Sequence, residues 1–91
     1  MTGPSMEEIL LNAAAMEPPE PLQQATRILQ ELQPGQYLRM LHRHLPYPLF
    51  ESCQQLAIDY RHFTDPAGQW VILFWRSDDP ATAEFCTQLT Q

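Results

Sequence analysis

Glu17-Pro18-Pro19-Glu20-Pro21-Leu22 is the stretch on which the fold turns. A proline has no N–H and a fixed φ, so a run this dense cannot sit inside a sheet ladder or a helix. It is tolerated in a helix's first turn, where the amide has no intrahelical partner anyway. The block therefore reads as a rigid corner that opens a helix, with Glu17 and Glu20 suited to the positive end of the helix dipole. Just before it, Ile9 to Ala13 reads as a strand, with Leu11 and Ala13 on one face and Leu10 and Asn12 on the other. The alanine run Ala13-Ala14-Ala15 would also suit a helix, but residues before proline are pushed towards extended geometry. Just after it, Leu22, Ala25, Ile28, Leu29 and Leu32 recur at helical spacing, until Pro34-Gly35 turns the chain.

The pattern then repeats loosely. Tyr37 to His42 alternates as a second strand, Leu38 and Met40 against Tyr37, Arg39 and Leu41. A second proline corner, His44-Leu45-Pro46-Tyr47-Pro48-Leu49, leads into a helix whose apolar face takes Leu49, Phe50, Cys53, Leu56 and Ala57. Ile58 to Phe63 is a third strand, Asp65-Pro66-Ala67-Gly68 a hairpin turn, and Gln69 to Arg76 a fourth strand. Asp79 caps a last helix with Pro80 at its first position, and Thr82, Phe85, Cys86 and Leu89 form its apolar edge. The expected fold is α+β: a two-layer α/β sandwich of β-α-β-α-β-β order with an added C-terminal helix over 79–90. Residues 1–7 are expected to form a flexible tail, and 8–91 a single domain.

One strand does not fit two layers. Trp70, Ile72 and Phe74 occupy one face of the fourth strand, Val71, Leu73 and Trp75 the other. Burying a side chain of that size contributes roughly 1.5–3 kcal/mol, so neither face stays wet. The last helix, a second subunit, or some of each must cover it.

Bulk composition narrows the function. A net charge of −6 lacks the basic face that nucleic acid requires. All five basic residues are arginines (Arg27, Arg39, Arg43, Arg61 and Arg76), so no lysine is present to form a Schiff base. No apolar run approaches the roughly 20 residues of a membrane span, and Met1 to Ser5 carries no basic secretory n-region. Cys53 and Cys86 fit free thiols in a reducing cytoplasm, the expected location.

Leu11-Asn12-Ala13, Met16, Pro19-Glu20-Pro21 and Pro34-Gly35 resemble the SirA/TusA-like sulfur carriers, whose first helix opens with Cys-Pro-x-Pro. The chain is more similar still to a bacterial family of related fold, the domain of unknown function labelled twenty-two forty-nine. Glu17 to Pro21, His44 to Leu49 and Trp70 to Arg76 carry that likeness, over about residues 8 to 76. The resemblance implies a β-α-β-α-β-β sandwich. It breaks where chemistry would begin, because Pro18 stands at the position of the carriers' cysteine. A thiolate there would be activated by the helix N-terminus. Proline supplies none and removes an amide, leaving chiefly the N–H groups of Glu20 and Leu22 to meet an anion.

The remaining candidates are weighed by residue type. His42, His44 and His62 form a possible transition-metal set, since neutral imidazoles hold zinc, iron or copper; otherwise His44 braces the second corner and no cofactor is expected. The arginines on or near the strands could grip an anion if gathered, or lie spread on a solvated face. No Ser-His-Asp set, phosphate loop or paired catalytic carboxylate is apparent. The expected function is a non-catalytic binding or adaptor module with a protein partner or a small ligand. Its binding surface is Glu17, Pro18, Pro19, Glu20, Pro21, His44, Pro46, Pro48, Val71, Leu73 and Trp75, with a homodimer possible through the last three. The alternative is a metal- or redox-linked accessory using His44 with His42 or His62. Sulfur transfer survives only if Cys53 is exposed with a low pKa.

Overall fold

A computed structural model of the chain describes residues 6–90. The elements run β1 (Glu7–Asn12), α1 (Glu20–Gln30), β2 (Gln36–His42), α2 (Tyr47–Leu56), β3 (Ile58–Thr64), β4 (Trp70–Arg76) and α3 (Pro80–Leu89). They form one mixed sheet of order β1-β2-β4-β3, an α+β fold. β1 and β2 are parallel, while β4 is antiparallel to both β2 and β3. The two proline corners follow from that parallel pair, since each carries the chain from the end of a strand into a helix. The flexible tail expected over residues 1–7 lies outside the described residues up to residue 5. Glu7 already belongs to β1, two residues before the expected start at Ile9.

Strand parity divides the molecule. Leu11, Leu38, Met40, Ile72, Phe74 and Ile58 share one face, and Ala25, Leu29, Leu49 and Cys53 of α1 and α2 pack onto it. Val71, Leu73 and Trp75 share the other face with Tyr37, and there they meet Cys86, Phe85 and Ala83 of α3. The open question over β4 is thus answered by the chain itself: α3 lies across the second face. Val71, Leu73 and Trp75 are 1%, 1% and 5% exposed. They are core, and the expectation that they form a binding or dimer surface is corrected.

α3 is pinned where it begins. Asp79 accepts from the N–H of Gly35 (2.8 Å), from the N–H of Thr82 (3.3 Å) and from the Thr82 hydroxyl (2.6 Å). These donors, the Gly35 amide foremost, hold its carboxyl below the usual carboxylate range. Gly35 sits at φ +85°, a conformation that suits a residue without a Cβ.

Three local expectations shift. Pro21, rather than Leu22, supplies the first buried position of α1, with Ala25 and Leu29. Ala57 is not on the α2 face: it is the C-cap, in the left-handed region at φ 58°, because β3 begins one residue later. Leu89 is 46% exposed, so the buried edge of α3 is carried by Thr82 and Cys86.

Candidate functional site

Adjacent parallel strands deliver both proline corners to the same end of the sheet, beside the N-termini of α1 and α2. There Pro18, Pro19, Pro21 and Leu22 from the first corner face His42, His44, Pro46, Pro48 and Leu49 from the second across a groove of about 290 Å³. The crevice beyond the carboxyl ends of parallel strands is where open α/β sheets commonly take ligands. Six of the expected surface residues, Pro18, Pro19, Pro21, His44, Pro46 and Pro48, come together here. Glu17 and Glu20 are exposed but do not line it, and Glu20 Oε2 accepts from Gln24 Nε2 at 2.9 Å.

Two helix N-termini would ordinarily make this an anion cradle. The prolines prevent it. At α1, the Glu20 N–H is taken by the Glu17 carbonyl (2.9 Å) and Pro21 has none, which corrects the expectation that Glu20 offers a free donor. At α2, Tyr47 donates to the Leu45 carbonyl (3.0 Å), while Leu49 and Phe50 both donate to Pro46 (3.0 and 3.1 Å). The groove therefore pairs apolar walls with very few backbone donors.

Polarity comes from the imidazoles. The His44 N–H donates to His42 Nδ1 at 3.3 Å, which places the His42 ring proton on Nε2. Burial, then the charges of His44 and Arg43, lowers the pKa of His42 from 6.5. The folded chain thus resists a proton that the unfolded chain takes up near pH 6.5. The contribution to stability is complete above pH 6.5 and is lost as pH falls through that value towards the folded pKa. His42→Asn keeps an acceptor for the His44 amide and cannot titrate. It should show a smaller fall in melting temperature between about pH 7 and pH 5.5 than the parent chain does. An equal fall in the two proteins would locate the pH response elsewhere.

The three histidines do not converge. Among the described residues no three His, Cys, Asp or Glu side chains group as metal ligands. His42 and His44 have ring centroids 5.8 Å apart, but His62 lies on β3, two strands from β2. Trp70 of the intervening β4 pairs with His42 and stands edge-on to His62 at 5.5 Å. The sequence could not reveal that the indole of β4 stands between the histidines of β2 and β3.

Neither thiol is poised to react. Burial pushes Cys53 up to about 11 and Cys86 up to about 12, and both are buried and free. The condition set for sulfur transfer through Cys53 is not met. The arginines are spread: Arg39 lies 3.7 Å from Glu8, Arg61 donates to Thr90 Oγ1, and Arg76 binds Asp78 through two nitrogens.

One surface was missed in the sequence. Tyr47, Phe50, Tyr60 and His62, with Leu45 and Glu51, line a shallow slot of about 380 Å³ on the other side of the second corner. Phe50 and Tyr60 stack in parallel at 4.1 Å, and Tyr47 stands perpendicular to Phe50 at 6.0 Å. Tyr47 lies three residues before Phe50 on α2, and Tyr60 and His62 share a strand parity. That signal was readable, but not that the two pairs meet.

The chain belongs to the family described as "Uncharacterized conserved protein (DUF2249)", whose model matches residues 11–76. No curated protein matches it. Among solved structures it is similar to the METTL16 MTase domain, with 15% sequence identity and a TM-score of 0.52 over 86% of this chain. It spans 32% of that chain, about a third of its length, and the likeness concerns the fold alone.

Proposed function

We propose that this member of the family is a non-catalytic binding or adaptor module whose working surface is the groove between its two proline corners. The observation that carries this reading is the convergence of Pro18, Pro19 and Pro21 with Pro46 and Pro48 around one cleft of about 290 Å³. Walls of proline lose little conformational entropy when they are covered, so a groove of this kind is pre-organised for an occupant. Its scarcity of backbone donors favours an apolar group over a phosphate. The Nε2–H of His42 adds one donor, suited to a carbonyl on that group. In this reading the corner resembling that of the sulfur carriers keeps its shape and gives up its thiol, with Pro18 in its place.

The test is a titration with N-acetyltryptophanamide, which joins an aromatic ring to carbonyl acceptors, followed by amide and imidazole NMR shifts. Saturable shifts should concentrate on Leu22, His42, His44 and Leu49. Leu22→Trp, which fills the groove from a partly exposed position, should abolish them. Shifts centred on Tyr47 and Tyr60, or no saturable shifts at all, would falsify the assignment.

A further inference from the structure

We infer that β3 is a homodimerisation edge, pairing antiparallel with β3 of a second copy about a two-fold axis at Tyr60. β3 is an outer strand of the sheet, seven residues long, with no proline and no bulge, and its register with β4 is unbroken from Ile58 to Thr64. Proteins that keep an edge unpaired often blunt it with proline, a bulge or charged side chains; the two charges on β3, Asp59 and Arg61, are of opposite sign and can pair with a copy of themselves. Here the edge opens onto a groove of about 340 Å³ lined by Tyr60, Arg61, His62, Phe63 and Thr90.

Which backbone groups face outward follows from the ladder. Asp65 donates to the Gln69 carbonyl (2.9 Å) and Ser77 to the Ala57 carbonyl (2.8 Å), one bond at each end of the β3–β4 pair. By the alternation of an antiparallel ladder, the odd-numbered residues of β3 are turned to β4. Ile58, Tyr60, His62 and Thr64 therefore present their N–H and C=O groups to the open edge.

Charge then selects the second copy as occupant and fixes the register. An antiparallel pair about a two-fold axis through the sheet brings residues of like parity opposite each other. Centred on Tyr60, it sets Asp59 opposite Arg61 of the second copy and Arg61 opposite its Asp59. These are cross-strand pairs of opposite charge on the α3 side of the sheet. Tyr60 meets its own copy in a hydrogen-bonded pair on the other side, where its ring is already held against Phe50. The neighbouring registers fail: centring on Arg61 opposes two arginines, on Asp59 two aspartates, and on His62 sets Asp59 against Asp65. Centring on Phe63 would set Arg61 against Asp65, but that carboxylate already accepts from the Ala67 and Gln69 amides of its own turn. The Tyr60 register alone opposes unlike charges within the strand, and it doubles the four-stranded sheet into a continuous one.

The experiment is sedimentation or light scattering over a dilution series, together with amide hydrogen exchange. The parent chain should reach twice its 10.5 kDa mass, with the Ile58, Tyr60 and His62 amides slowed in the dimer and fast once diluted to monomer. Arg61→Asp places aspartates opposite one another and should give a monomer. Joining Asp59→Arg to it restores opposite charges and should restore the dimer. A parent chain that stays monomeric at every concentration overturns the inference. So does a dimer that leaves those amides fast, or one that Arg61→Asp does not weaken. The exchange measurement needs no variant, so a misfolded Arg61→Asp protein would not protect the idea.

Discussion

Phe74→Ala should lower the unfolding free energy by about 3–5 kcal/mol, the cost of removing a large aromatic from a close-packed core. Phe74 is fully buried on β4, paired with Leu38 of β2 and Tyr60 of β3. Its ring lies 6.2 Å from Phe50 and 6.1 Å from Tyr60, so the cavity would open beneath the aromatic row as well as between the strands. β4 is held on both sides by paired strands and cannot move inward to fill the gap. Against the 5–15 kcal/mol of an ordinary domain, the loss would leave little margin. Urea unfolding followed by far-UV circular dichroism measures it. A loss below about 1 kcal/mol would mean that the core can collapse around the site, contrary to the packing described. Ile72→Val, one methylene on the same strand face, sets the lower end of the scale at about 0.5–1.5 kcal/mol.

Position on β4 explains both that sensitivity and how far the sequence could be read. A run apolar at every residue from Trp70 to Trp75 calls for cover on both faces, and that much was legible. Alternation also assigned the faces of β2 and β3 as they are found. What covers the second face was not legible, because the apolar edge of α3 is short. Its buried positions include Thr82, a polar residue satisfied by Asp79. The start of β1 was missed because Glu7 and Glu8 look like tail; as residues of an edge strand they leave their carboxylates in water, Glu8 accepting from the Tyr37 hydroxyl at 2.8 Å.

The candidate groove was legible in parts and not as a whole. Each proline corner could be found from its own residues, since proline acts on its own backbone and its neighbour's. Their convergence depends on β1 and β2 lying side by side and parallel, a pairing between strands 29 residues apart in register. His42 entered the sequence reading as a metal ligand. The bond from the His44 amide, which local spacing does not reveal, ties its Nδ1 into the corner. The meeting of the aromatics was hidden for a similar reason: Phe50 and Tyr60 come together only once α2 has packed beside β3.

Ending the chain at Ser77 should abolish the native fold. The family match stops at Arg76, so the removed part, which contains all of α3, lies wholly outside the matched residues. Yet α3 covers Tyr37, Val71, Leu73 and Trp75 and carries Cys86 into the same cluster. Uncovering side chains of this size forfeits roughly 1.5–3 kcal/mol for each one that becomes fully wet, before counting the bonds that Asp79 makes to Gly35 and Thr82. Several such losses together approach the whole stability of a small domain. The first face, packed by α1 and α2, would remain covered, so the shortened chain should collapse rather than extend. Helical far-UV signal should persist, near-UV signal should fade, and the exposed face should bind the dye ANS. The intact chain should show sharp near-UV bands and little dye binding. A shortened chain that still unfolds in one sharp transition with the parent midpoint would show α3 to be an appendage rather than the second half of the core. The comparison also bears on the matched segment itself: in this chain, residues 11–76 contain both interior strands, β2 and β4, but not the helix that covers one face of the sheet.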